Sequence, residues 1–206
     1  MENQRKVWEK ISSSWNKRKR KPLLSEVEKF AESWKPGKLL DIGCGNGRNI
    51  IPFLKRGFEG SGVDFSQGMI KNATKFIKQN NVNASFSVAD MRKLPFKDLK
   101  FDYAIMIASL HHLSKEEGEK ALLELKRVLK NDGKALITVW NKLQPRFFFG
   151  KKQQYVKWKS GSKEDCNRYY YFYNYWEFKR LLKKVGFEIL ESSGIFGQNL
   201  IFVVKN

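Results

Sequence analysis

The stretch LLDIGCGNGRN, residues 39–49, sets glycines at 43, 45 and 47 directly behind an apolar run. Glycine has no Cβ, so a loop built this way turns tightly and lets a ligand lie against the main chain. The spacing separates two kinds of ligand. A dinucleotide loop reads G-x-G-x-x-G and aims a helix N-terminus at a pyrophosphate. Here Asp41 precedes three glycines that alternate with other residues, and an acid at the strand end would repel a phosphate. Asp41 points instead to a ligand with a cationic end.

Outward from this loop, strand and helix patterns alternate. KLLDIG reads as a short buried strand and NIIPFLKRG as a helix, with Pro52 near its first turn and Gly57 at its end. EGSGVDFS is a second strand, QGMIKNATKFIKQNN a helix, and ASFSVADM a third strand with alternating faces. FDYAIMIAS is an apolar fourth strand, KEEGEKALLELKRVLK a helix closed by Asn131-Asp132-Gly133, and KALITVW a fifth strand. After the helix NYWEFKRLLKKVG come FEILESSGIF and NLIFVVKN, two strands that GQ could join as an antiparallel hairpin at the sheet edge. This order predicts parallel strands joined by right-handed crossovers, a doubly wound α/β sheet with helices on both faces. Asp41, Asp64 and Asp90 follow the ends of the first three strands, where all three are expected to face the crevice at the carboxyl ends.

Two segments lie outside that alternation. Upstream, Val7, Trp8, Ile11 and Trp15 recur at helical spacing before five consecutive cations, Lys17, Arg18, Lys19, Arg20 and Lys21. A second helix follows over LLSEVEKFAESW, with Ser25 as N-cap, Glu28 as its capping-box partner and Pro36-Gly37 as its stop. Residues 141–174 read as an irregular, basic and aromatic insertion, and insertions of that length are usually functional or mobile.

The chain has 206 residues, so one domain over 1–206 is the default. Its 41% hydrophobic and 14% aromatic content excludes a disordered protein despite 30% charged residues. No apolar run approaches the roughly 20 residues of a membrane span, and MENQRKVWEK lacks a signal-peptide core, so a cytoplasmic location and no membrane partner are expected. Cys44 and Cys166 form neither a disulfide framework nor a metal pattern, and no metal is expected. The 40 Lys and Arg against 21 Asp and Glu give a formal charge of +19. Such a surface implies an anionic macromolecule, nucleic acid above all, through counterion release, although a lysine-rich coding bias would give the same figure.

With LLDIGCGNG and its three acids, the 37–140 segment resembles the class I S-adenosylmethionine-dependent methyltransferases. The resemblance implies a Rossmann-like seven-stranded sheet and S-adenosylmethionine as cofactor. It further implies that Asp41 and the backbone of Gly43, Cys44, Gly45 and Gly47 hold the methionine end. Asp64 would accept both ribose hydroxyls with Phe65 beside it, Asp90 would take the adenine amine, and Met91 would lie against the ring.

WNKRKRKP, the run from ASLHHLSKEEGEK to ITVWN, and NRYYYFYNYWEFKRLLKKVGF resemble more narrowly the tRNA wobble-uridine carboxymethyl methyltransferases. That family includes the methyltransferase domain of AlkB-like fusion proteins. Two positions depart from its pattern: Lys19 stands for an arginine and Tyr171 for a histidine. The resemblance implies methylation of the 5-carboxymethyl group of tRNA uridine 34 to the methyl ester. A carboxylate is already ionised at neutral pH, so no general base is required and cations serve as clamps. Arg168 is the first candidate for the clamp, as a bidentate guanidinium, with Lys19 and Arg20 behind it. His111 and His112 follow the fourth strand and either could touch the uridine. Tyr169, Tyr170 and Trp140 are candidates for stacking on anticodon bases or for closing a core, and Lys17 to Lys21, Lys151 and Lys152 for tracking phosphates.

The same family resemblance implies a small zinc-binding activator subunit that adds a strand to the exposed edge at residues 84–88, without which the chain would be sparingly soluble or weakly active. Two other readings remain open on the sequence: a class I methyltransferase of small molecules and a non-catalytic RNA-binding subunit. The charge weighs against the first, the intact acids and glycines against the second.

Overall fold

A computed structural model describes residues 4–18, 25–158 and 166–206, with backbone alone at 17 and 18. Lys19, Arg20 and Lys21 lie outside the described residues, as do the side chains of Lys17 and Arg18.

Nine strands and six helices are described. In chain order they are α1 (Gln4–Arg18), α2 (Ser25–Ser33), β1 (Lys38–Ile42), α3 (Ile51–Leu54), β2 (Glu59–Asp64), α4 (Gln67–Gln79), β3 (Ala84–Val88) and β4 (Phe101–Ile107). Then come α5 (Lys115–Val128), β5 (Leu129–Trp140), β6 (Gln153–Trp158), β7 (Cys166–Tyr171), α6 (Tyr175–Val185), β8 (Glu188–Ser192) and β9 (Asn199–Lys205). Seven strands form one sheet in the order β3-β2-β1-β4-β5-β9-β8. The first five are parallel, and β9 and β8 complete the sheet antiparallel, as the hairpin pattern predicts.

The two-residue period of a strand sorts the core into two layers. Leu39, Ile105, Ile107 and Leu136 pack against Val27 and Phe30 of α2, Trp34 just after it and Phe53 of α3. Leu40, Ile42, Ala104, Met106 and Ile137 pack on the other face against Leu122 and Leu125 of α5 and Phe178 and Leu182 of α6. Local signals fix the helix ends. The Ser66 hydroxyl caps α4 by accepting from Met69 N–H, Asn174 caps α6 through Glu177 N–H, and Ser114 and Glu117 form a full capping box on α5. Gly186 closes α6 at φ +92°.

Three local expectations are corrected. Ser25 is already inside α2 and donates its hydroxyl to the neighbouring Glu26 carboxylate, so the capping box expected with Glu28 is not its contact. The helix α5 ends at Val128, because Leu129 and Lys130 already belong to β5, where Leu129 pairs with Phe101. Asn131 to Gly133 form an irregular start of that strand, with Asp132 at φ +67°. The 141–174 segment is not wholly irregular: β6 and β7 make an antiparallel hairpin in which Tyr155 faces Tyr169 and Val156 faces Arg168. Its alternation was obscured by aromatics on both faces, since Tyr170 and Phe172 close a small core with Phe147 while the neighbouring Tyr171 joins the main one.

Candidate active site

The glycine loop leaves β1 and crosses the carboxyl end of the sheet with Gly43, Gly45 and Gly47 at φ +71°, +54° and +76°. A side chain at Gly43 would bring its Cβ within 2.4 Å of Ser109 Cβ, so the loop lies directly on the end of β4. Gly43 and Cys44 N–H both donate to the Val63 carbonyl, which ties the loop to β2. Beside it opens a cavity of about 1190 Å³, lined by the loop, the ends of β2, β3 and β4, α1 and the β6–β7 hairpin.

The three acids are not equivalent there. Asp64 and Asp90 line the cavity. Asp64 closes β2, where Oδ2 accepts from Gly45 N–H at 3.0 Å and Oδ1 from Ser66 N–H at 2.9 Å. Burial raises it to about 6 against those two donors. Asp90 follows β3, and its carboxylate is gripped by Arg92, with Nε at 3.0 Å from Oδ1 and Nη2 at 2.5 Å from Oδ2; the other end of that guanidinium holds Glu117. Asp41 departs from the expectation that all three acids face the crevice. It shares the strand face of Leu39, is 1% exposed and lies beneath the loop rather than on the cavity wall. Both its oxygens lack a hydrogen-bond partner. Burial, then the charge of Asp64, push Asp41 up to about 8, with Arg48 opposing them.

This proton has a measurable consequence. Between the unfolded carboxylate value near 4 and about 8, folded Asp41 holds a proton that the unfolded chain releases, so stability falls as pH rises through that window. His111 and His112 act in the opposite sense, but only below their ordinary value, and Asp64 is ionised above about 6. From pH 7 to 8 the Asp41 contribution dominates these four, at up to about 1.4 kcal/mol per pH unit. Thermal melts should show the wild-type melting temperature falling over that interval and the fall flattened in Asp41→Asn; parallel slopes would refute it.

The other wall comes from α1 and β7. Trp8 and Trp15 of α1 line the cavity, and Val7, Trp8 and Ile11 pack with Met69 of α4 and Cys166 of β7. Glu9 fastens this helix: its carboxylate accepts from Ser66 Oγ at 2.7 Å and from Gly68 N–H at 2.9 Å, at the start of α4. Arg168 of β7 is 6% exposed and lies over the rings of Trp158 at 4.8 Å, Tyr170 at 5.2 Å and Trp8 at 6.0 Å. Its Nε has no hydrogen-bond partner, and among the described residues no carboxylate pairs with it. Burial pulls its pKa down from the ordinary arginine range.

His111, His112, Met91, Phe65, Cys44 and Tyr169 all line the same cavity. Tyr170 does so too, but as part of the wall. It is 1% exposed and stacks on Trp140 at 4.5 Å and His111 at 5.2 Å, so the expectation that it stacks on a base is corrected. Trp140 is likewise flanked, by Tyr170 and by Phe147 at 5.7 Å. Lys151 is exposed, whereas Lys152 donates to Glu177 at 2.9 Å and is no uncommitted phosphate contact.

Sequence reasoning did not single out Trp8, Trp15, Glu9 or Ser109 as site residues. In the sequence the tryptophans form only a helix face, and nothing in the spacing says that this face turns toward the loop. Ser109, whose hydroxyl donates to the Ile42 carbonyl, follows Ala108 at φ +52°, a strained step that sequence does not announce.

The profile of a family described as "Methyltransferase domain" matches residues 39–133. A protein of Encephalitozoon cuniculi that bears a methyltransferase name is 34% identical over 162 residues, covering 74% of this chain and 71% of that one. The tRNA (carboxymethyluridine(34)-5-O)-methyltransferase of Arabidopsis thaliana is 40% identical over 117 residues, 56% of this chain. The match spans only 27% of that enzyme's length. Among solved structures, the 1,6-didemethyltoxoflavin-N1-methyltransferase of Burkholderia thailandensis with bound S-adenosylhomocysteine superposes with TM-score 0.72 at 18% identity, covering 98% and 87% of the two chains. A chain of the Haloferax volcanii complex between the Trm112 methyltransferase activator and a methyltransferase does so with TM-score 0.72 at 15% identity, covering 98% and 97%. These two likenesses concern the fold. The profile, the relative matched over most of both chains and the loop with its acids agree: the chain belongs to the class I S-adenosylmethionine-dependent methyltransferases.

Proposed function

We propose that this protein methylates the carboxylate of 5-carboxymethyluridine at position 34 of tRNA, giving the methyl ester. Arg168 carries this reading. A buried guanidinium with no acidic partner among the described residues, at the wall of the cofactor cavity, is costly unless an anion comes to it. A carboxylate fits its planar fork. The similarity to the Arabidopsis enzyme over 117 residues and the +19 charge support a tRNA as the bearer of that carboxylate.

The residues present fit the cofactor. The unpartnered Asp41 carboxyl beneath the loop, which holds a proton in the free protein, would ionise against an ammonium bound above it, and the positive-φ glycines present no Cβ there. Asp64 keeps lone pairs for ribose hydroxyls beyond the two N–H groups it accepts, with Phe65 beside it. Met91 offers an apolar surface to the adenine, while Asp90 must serve the amine with a carboxylate already shared with Arg92. When bound, S-adenosylmethionine supplies the electrophilic methyl group. The chain's task would then be positional: Arg168 would hold one face of the carboxylate and the aromatic wall would exclude water from it. No proton moves, in keeping with two histidines that burial keeps neutral.

Lys17 to Lys21 and Lys151 would track the phosphates, and Tyr169 remains the aromatic for an unpaired base. The edge strand β3 is bordered on one side by β2 alone, with exposed Val88 at its end, which suits strand addition by a small activator subunit. Incubation with labelled cofactor should place label in tRNA carrying 5-carboxymethyluridine 34 and none in the same tRNA with unmodified uridine, more so with activator present. Equal labelling of both would overturn the assignment.

A further inference from the structure

His111 and His112 sit in one turn after β4, and both line the cavity beside Arg168. Each ring is pinned through its Nδ1. The Trp140 backbone N–H donates to His111 Nδ1 at 3.1 Å, so that nitrogen holds a lone pair and the neutral ring carries its proton on Nε2. His112 Nδ1 lies 3.0 Å from the Tyr169 carbonyl oxygen, which can only accept, so this ring has its proton on Nδ1 and a lone pair on Nε2. Neighbouring rings restrain both: His111 stacks on Tyr170 at 5.2 Å, and His112 stands edge-on to Trp8 at 4.6 Å and Tyr170 at 4.5 Å. Burial lowers His111 well below the usual imidazole range and His112 to about 3, with Arg168 adding to the effect on each. The wall therefore offers one donor, one acceptor and one cation of fixed polarity.

We propose that His111 Nε2–H and His112 Nε2 read the edge of the acceptor base and admit uracil against cytosine. The inference rests on the carboxymethyluridine reading. A uracil bearing a carboxymethyl group at C5 presents, in order around its ring, a carboxylate, the O4 acceptor and the N3–H donor. Arg168, His111 and His112 supply the complements: a cation, a donor and an acceptor. Cytosine reverses the last two, setting its amino group against a donor and its N3 lone pair against a lone pair. A flipped base is read in this way by hydrogen bonds to its Watson–Crick edge, and unpaired polar groups make the wrong base costly.

The test uses anticodon stem-loops carrying 5-carboxymethyluridine or 5-carboxymethylcytidine, which differ only along that edge. The full chain, with activator where it is needed, should methylate the uridine form with kcat/KM about 100-fold higher. The variants His111→Asn and His112→Asn keep the backbone contact, because the Asn amide can accept from Trp140 or donate to Tyr169, and they lose Nε2. Each should reduce the preference to below about 10-fold, with cofactor affinity by calorimetry unchanged. Equal rates on the two stem-loops in the wild type, or an undiminished preference in His112→Asn, would overturn the inference alone. No methylation of either stem-loop by the wild type would overturn the functional reading itself.

Discussion

Replacing Arg168 by alanine is expected to lower kcat/KM for carboxymethylated tRNA by about 100-fold or more and to leave cofactor affinity unchanged. Removing one partner of a buried, hydrogen-bonded charge pair costs about 2–5 kcal/mol, and here the lost partner would strand the substrate carboxylate among Trp8, Trp158 and Tyr170. Stability separates this role from a structural one. In the free protein Arg168 has no ion pair among the described residues, so Arg168→Ala should lose only its ring contacts and melt close to the wild-type temperature. Arg168→Lys should recover only part of the activity, since an ammonium lacks the planar fork. A variant that loses activity and stability together would place Arg168 in the fold rather than at the substrate.

The second large effect belongs to Asp64. Asp64→Asn should weaken cofactor binding by about 100-fold, measured by calorimetry, with tRNA affinity little changed. Both carboxylate oxygens accept backbone N–H groups, Gly45 from the glycine loop and Ser66 from the cap of α4. An amide turns one of those acceptors into a donor facing a donor. Hydrogen bonds to charged groups are worth about 1.5–3 kcal/mol each, which brackets a hundredfold loss. Because Glu9 reaches the same cap through Ser66 Oγ, the loss should be accompanied by loosening of α1, detectable as faster amide exchange in that helix. Unchanged cofactor affinity would remove Asp64 from the binding site.

Much of this was legible in the sequence, for identifiable reasons. The sheet could be read because β1, β4 and β5 carry apolar runs and strand patterns alternate with helical ones, and the loop because three glycines after an acid admit few ligands. Arg168 is a candidate through residue chemistry together with a resemblance, and the fold brings it to the same cavity as Asp64, though they lie far apart in the chain. What the sequence hid depends on tertiary packing. That Asp41 lies under the loop follows from which strand face meets α3, and that Tyr170 is wall rather than platform follows from Trp140, His111 and Phe172 meeting it in space. The fastening of α1 by Glu9 joins residues 57 positions apart in sequence, which no local pattern displays. The opposite tautomers of His111 and His112 are set by two backbone partners, neither of them a sequence neighbour.

A carboxylate acceptor leaves a methyl ester, and the stability of the product distinguishes it from every other acceptor. After incubation of the protein with methyl-labelled cofactor and tRNA bearing 5-carboxymethyluridine 34, the labelled tRNA is treated with mild alkali. Release of the label as methanol and recovery of the free carboxymethyl nucleoside are expected, because an ester hydrolyses where a methyl group on a ring atom or ribose oxygen does not. Label that stays with the nucleoside through that treatment would contradict it.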